Sequence, residues 1–252
     1  MNIIINKNKL DDYKDNSLTT QNNHIIFKKD GEYNITIDNS TNINLNITLE
    51  NNISIKLFIK SVNNNINLTT HYNLNKNSKL TLSKFYYNKN SKEEEIIDLN
   101  GENSIFKSNF SSITTNEEEY HTIINHNNKN TNSYISNKSI GCDNSKISFI
   151  IDSILEKGNS NCVMDQTTKI LTLGDVETKI EPNMFIEEDS VEARHGSVIG
   201  TFSYDDIFYL MSRGIKEQEA IDLLLKGFIF SNLELDMENT AFVYNCIKNI
   251  RR

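Results

Sequence analysis

GEYNITIDNSTNINLNITLENNISIKLFIK (Gly31–Lys60) decides the fold class. Ile35 and Ile37, then Ile43, Leu45, Ile47 and Leu49, then Ile53, Ile55, Leu57 and Ile59 recur at every second position. A strand turns successive side chains to opposite faces, so this period gives each segment one buried face. A helical stripe would need spacings of three and four, and β-branched Ile favours strands. Breaks at Asp38–Thr41, Glu50–Asn52 and Val62–Asn65 cut the run into short strands roughly ten residues apart.

The pattern continues at Ile66–Thr70, Leu80–Phe85, Ile96–Leu99, Ile105–Phe110, Tyr120–Asn125, Ser133–Asn137, Lys146–Asp152 and Ile170–Leu173. Asn, Ser and Lys fill the turns, with Gly at 101, 141, 158 and 174. A sandwich, a barrel or a solenoid could be built from such strands. Sparse aromatics and few hairpin signals favour strands that keep pairing forward, as in a β-helix. Asn occupies 40 of 252 positions. It tolerates positive φ, and stacked Asn side chains can form ladders inside solenoid turns.

Residues 1–30 read as a loose leader with one short strand at His24–Phe27, residues 31–200 as the β-body and residues 201–252 as a helical segment. Ser203 is a good N-cap, and Asp205 and Asp206 suit the positive end of a helix. Ile207, Phe208, Leu210 and Met211 form an apolar stripe ended by Gly214. A second helix is expected from Lys216 to Lys226, with Ala220, Leu223 and Leu224 on one face and Gly227 as its stop. A third is expected over Glu238–Lys248, with Ala241, Phe242, Cys246 and Ile247 inward.

A net charge of −8 argues against nucleic acid or an anionic membrane as the main partner. Three widely spaced cysteines (Cys142, Cys162, Cys246) argue against a disulfide framework and fit a reducing cytoplasm. The N-terminal apolar run is three residues long, so neither signal peptide nor membrane anchor is expected.

His195, between acidic residues and Gly196, is the first candidate metal ligand, since acidic surroundings attract a cation. His121 and His126, five apart, fall on opposite faces of a strand and read as turn and rim residues. The cysteines read as small core residues. The runs Glu93–Glu95 and Glu117–Glu119 read as solvated loops. There is no Walker A, GxSxG, HExxH or GxGxxG motif. No nucleophile stands with its base, so no enzyme is expected.

EARHGSVIGTFSYDDIFYLMSRGIKEQEAIDLLLKG (Glu192–Gly227) with Phe228 resembles the end of the SufB/SufD proteins of SUF iron–sulfur cluster assembly. The matching features are His195-Gly196, Gly200, Phe208-Tyr209-Leu210, Ser212-Arg213-Gly214-Ile215, Ala220 and Gly227-Phe228. INHNNKNTNSYISNKSIG (Ile124–Gly141), Asp165-Gln166 through Leu171, and Pro182 are weaker echoes. The resemblance implies a right-handed parallel β-helix followed by a small helical domain, and a non-enzymatic scaffold. It implies pairing with a SufB-like subunit, or a homodimer, through the β-helix. It also implies docking of a SufC-type ATPase, whose ATP-driven dimerisation would rearrange the pair. On this resemblance Phe208, Tyr209, Leu210, Arg213, Gly214, Ile215, Ala220, Leu224, Gly227 and Phe228 belong to the docking segment. His195 matches the family's interface histidine, a ligand for iron or an iron–sulfur cluster held transiently and shared with the partner. Thr168 stands where SufB proteins carry a Cys, with Cys162 six residues earlier, which makes the chain more like SufD. It is also short, without the long N-terminal helical region of many SufD proteins, as a minimal SufD partner or a homodimeric protein would be. The alternative is a carbohydrate-binding or carbohydrate-acting β-helix. Its only candidates are Tyr86, Tyr87 and Tyr120 with Glu117–Glu119.

Overall fold

The computed structural model describes residues 1–11, 13–14, 16–248 and 250; positions 12, 15, 249, 251 and 252, inside the ranges 1–30 and 201–252, lie outside the described residues. The first strands are β1 (Asn2–Asn6), β2 (Lys9–Leu10), β3 (Tyr13–Lys14), β4 (Leu18–Gln21), β5 (His24–Phe27), β6 (Gly31–Asp38), β7 (Asn42–Leu49), β8 (Ser54–Val62) and β9 (Asn65–Leu74). Then come β10 (Lys79–Tyr87), β11 (Asn90–Leu99), β12 (Ile105–Thr114), β13 (Glu117–His126), β14 (Asn132–Cys142), β15 (Ser145–Leu155), β16 (Cys162–Leu173), β17 (Val176–Ile186) and β18 (Val191–Gly200). From β6 onward they alternate between two nine-stranded sheets, every pairing parallel, which makes a parallel β-solenoid of about six turns. One sheet runs β18-β16-β14-β12-β10-β8-β6-β1-β2 and the other β17-β15-β13-β11-β9-β7-β5-β4-β3.

The alternating aliphatics fill the space between the sheets. Ile35, Ile47, Leu49, Ile55, Leu80, Ile97 and Ile124 are fully buried in one cluster. Burying each such side chain is worth about 1.5–3 kcal/mol. Residues 1–30 correct the reading of a loose leader. They carry five strands, of which β1 and β5 join the parallel ladders and β2, β3 and β4 pair antiparallel. The run Ile3-Ile4-Ile5 conceals an alternation, with Ile3 and Ile5 buried and Ile4 exposed.

The Asn-rich turns are part of the architecture. Among the described residues, eleven of the twelve non-glycine positions with positive φ are Asn. Asn52, Asn77, Asn103, Asn130 and Asn161 take this left-handed conformation at one corner of successive turns. Asn77 donates to Asn52 Oδ1 at 2.8 Å and Asn103 to Asn77 Oδ1 at 2.9 Å. Asn100–Gly101, elsewhere a hairpin signal, forms a corner instead. A Cβ on Gly101 would lie 1.9 Å from the Lys76 backbone nitrogen, so only glycine lets the turns stack that closely.

Helices α1 (Tyr204–Ser212), α2 (Glu217–Phe230) and α3 (Met237–Lys248) follow. Ser203 caps α1, accepting from the Asp206 N–H at 3.1 Å, and Gly214 ends its turn at φ +87°. Leu225, Ile229, Val243, Cys246 and Ile247 pack with Phe58, Phe85, Ile113, Ile140 and Leu171 on the outer face of the even-numbered sheet. Asn232 fastens them, donating to Phe110 O at 2.7 Å and Ser136 O at 3.0 Å.

Three helix expectations are corrected. α2 runs through Gly227, because Phe228, Ile229 and Phe230 continue its packed face and outweigh the roughly 1 kcal/mol cost of glycine. Its buried residues are Ala220, Leu225 and Ile229, while Leu223 is exposed. In α3, Val243 takes the inward place expected of Ala241, which is exposed. No helix among the described residues is long and apolar enough to cross a membrane.

Candidate functional site

The last turn of the solenoid differs from the others. Between Leu171 and Ala220 no residue is buried, although the stretch forms β17, β18 and α1. Each of these strands pairs on one side only, β17 with β15 and β18 with β16. The opposite edges leave a row of backbone N–H and C=O groups unpaired by strand neighbours. Val198 and Ile199 are exposed, and the space around Gly196 and Gly200 is open.

Register fixes where His195 points. Partners in a parallel ladder share a face. Through the even-numbered sheet the ladder runs Tyr33, Leu57, Leu82, Ser108, Ile135, Gln166, His195. Gln166 lies inside, 1% exposed, and bridges to the other sheet by donating to Ser153 Oγ at 2.8 Å. His195 therefore occupies the inward face of an uncovered turn. On the outward face, Arg194 pairs with Asp165 at 2.7 Å. Among the described residues no three His, Cys, Asp or Glu side chains are grouped to hold a metal ion. His195 by itself offers one imidazole donor.

α1 is the second uncovered element. It contributes no buried residue. Tyr204, Phe208 and Tyr209 are 74%, 56% and 59% exposed, and the Tyr204 and Phe208 rings stack 6.0 Å apart. Of the expected docking residues, Phe208, Tyr209, Arg213, Gly214 and Gly227 are exposed, and Leu210, Ile215, Leu224 and Phe228 half-buried. Ala220 is fully buried, so it packs the helices and cannot touch a partner directly.

The remaining candidates sit elsewhere. His121 and His126 lie on opposite faces of β13, as their spacing requires. His121 Nε2 contacts Asp152 Oδ2 at 2.7 Å on the outer surface. His126 is not a rim residue: it is buried between Thr131 Oγ1 (2.8 Å) and Ser133 Oγ (3.0 Å). Burial lowers its pKa to about 4. All three cysteines are buried and outside any disulfide. Burial pushes the Cys246 thiol up to about 11.

The acidic runs are strands, not solvated loops. Alternation turns Glu94, Glu117 and Glu119 outward and Glu93, Glu95 and Glu118 into the core. Lys84 Nζ lies 2.8 Å from both Glu93 Oε2 and Glu95 Oε2. Tyr86 donates to Glu93 and Tyr72 to Glu95. Burial raises Glu93 to about 7 despite Lys84, and raises Glu118 to about 7 against the hydroxyls around it, of which Thr114 donates at 2.5 Å. Tyr86 and Tyr120 are interior as well. Of the carbohydrate-cleft candidates, Tyr86, Tyr120 and Glu118 thus face the core, Tyr87 is half-buried against the helices, and Glu117 and Glu119 turn outward without an aromatic partner from this set beside them on that face.

The model of the SUF system FeS cluster assembly SufBD core domain matches residues 11–228. The chain is similar to the iron–sulfur cluster assembly protein SufD of Bacillus subtilis, 31% identical over 113 residues, 44% of this chain and 26% of the relative. It is similar to SufD of Escherichia coli, 30% identical over 141 residues, 52% of this chain and 31% of the relative. SufB of Bacillus subtilis matches at 30% over 123 residues, 47% of this chain and 26% of the relative. The matched stretches span about a quarter to a third of these relatives.

Proposed function

The chain belongs to the SufBD family, and from that premise we propose that it is a non-enzymatic scaffold subunit of SUF iron–sulfur cluster assembly. One observation carries the reading: the 48 positions from Thr172 to Glu219 are folded as two strands and a helix, yet none is fully buried, and Val176, Ile180, Met184, Ile186 and Val191 are only half-covered. A chain that orders a segment gains by burying it. Here the burial is supplied by other molecules.

The edges of β17 and β18 suit strand addition by a SufB/SufD-like subunit or a second copy, with main-chain hydrogen bonds closing the open end. Such pairing covers the inward face that holds His195. The imidazole then offers a nitrogen ligand, in a water-poor junction, to an iron ion or nascent cluster that is cargo. The partner supplies the remaining ligands. The exposed rings of α1, with the loop through Ile215 and the half-buried Leu224 and Phe228, form an apolar surface for a SufC-type ATPase.

Capture of a SufC-type ATPase by the chain tests this. Phe208→Asp with Tyr209→Asp places two charges on a surface outside the core, so folding is unaffected. The wild type is expected to capture the ATPase and the double variant to lose it by at least about tenfold. Undiminished capture by the variant removes α1 from the docking surface and sinks that part of the reading.

A further inference from the structure

Gln166 carries an atom that the free chain leaves unsatisfied. Its Oε1 is buried and has no hydrogen-bond partner. The orientation of the amide is fixed by its surroundings. Nε2 donates to Ser153 Oγ at 2.8 Å and to Asn183 O at 3.3 Å. A backbone carbonyl only accepts, so the nitrogen must face Asn183 and the oxygen must face away. Both amide hydrogens are committed across to the other sheet, and the oxygen is held rigidly with nothing to accept from.

Two side chains flank Gln166 on its own face of the ladder, Ile135 and His195. Ile135 has no donor. His195 does, and its exposed ring is free to turn. We infer that Gln166 is a positioning residue for His195: its side-chain oxygen accepts one imidazole N–H, so the other ring nitrogen presents its lone pair to the open end of the solenoid. This deepens the reading of His195 as a ligand and rests on it. A histidine ligand is commonly oriented in this way by an acceptor on its other nitrogen, which selects the tautomer and the ring direction together. Gln166 and His195 stand one solenoid turn apart, a relation that exists only once the register is known.

The test is the tautomer of His195 in the full chain, without iron. The chain has only five histidines, so a 15N-histidine-labelled sample gives a spectrum in which His195→Gln identifies the His195 signals. At a pH where the imidazole is neutral, one nitrogen is expected to be protonated in about tenfold excess over the other. Gln166→Met keeps the volume but removes the acceptor. It is expected to return His195 to the mixed tautomers of free imidazole while the other four signals stay in place. Gln166→Asn, too short to bridge the sheets, is expected to do the same if the Met variant does not fold. A mixed population in the wild type, or an unchanged tautomer in a folded variant, overturns the inference. Iron or cluster binding in His195→Ala is a separate readout, so the ligand role of His195 and the positioning role of Gln166 can fail independently.

Discussion

Replacing Glu118 by glutamine is expected to stabilise the chain at alkaline pH and to do little at acid pH. The carboxyl is fully enclosed, Thr114 donates to one oxygen, and the other oxygen has no partner. Burial therefore raises its pKa from an ordinary 4.5 to about 7. Folding is unpenalised while the group is protonated in both states, below about pH 4.5. Stability is lost as the pH rises through 7, because the folded chain must then bury the charge that the unfolded chain exposes to water. The gap between the two values corresponds to about 3 kcal/mol. Glutamine keeps an acceptor for Thr114 but leaves an amide N–H₂ to be satisfied, which offsets about 1 kcal/mol. The variant should be more stable than wild type by about 2 kcal/mol near pH 8.5 and equal or slightly less stable near pH 4.5. Urea unfolding followed by circular dichroism at the two pH values measures this. A variant that is destabilised equally at both would show that the buried carboxylate carries no charge penalty, and the reasoning would be wrong.

His126 governs the opposite limb. Burial depresses its pKa to about 4, so its contribution is complete above 6.5 and lost as the pH falls through 4; His126→Gln should flatten acid unfolding over that window by up to about 3 kcal/mol. Gly101→Ala should lower the melting temperature by well over 10 °C or prevent folding, since its Cβ would meet backbone at Lys76, whereas Gly158→Ala, in open space, should cost only the strain of its positive φ. A scan of both variants by differential calorimetry separates a steric requirement from a conformational one.

The fold was legible where burial follows a period of two. The Ile and Leu alternation from Ile35 to Ile59 implies strands, and the Asn excess is used as corner residues and ladders. Of the first thirty residues only the strand at His24–Phe27 was legible, because Ile3-Ile4-Ile5 reads as a run and the other strands there are too short to show a period. The acidic runs misled for a related reason. Charge suggests solvent, yet alternation sends every second Glu inward, where Lys84 and tyrosine hydroxyls take up two of them. α2 outran Gly227 because tertiary packing overrides propensity. His195 stood out by its neighbours and by family resemblance, but its inward direction depends on register. Gln166 stood out only as part of a weak family echo, since its partners Ser153 and Asn183 and its ladder neighbour His195 come from three other strands.

Amide hydrogen exchange on the chain, alone and mixed with a SufB-like subunit and a SufC-type ATPase, reads out where the complex is built. β17, β18 and α1 should exchange readily in the free chain and become protected in the mixture, with the outer face of the odd-numbered sheet unchanged. Protection confined to that outer face, or none anywhere, would contradict the claim that the unburied stretch from Thr172 to Glu219 is the surface on which the complex is built.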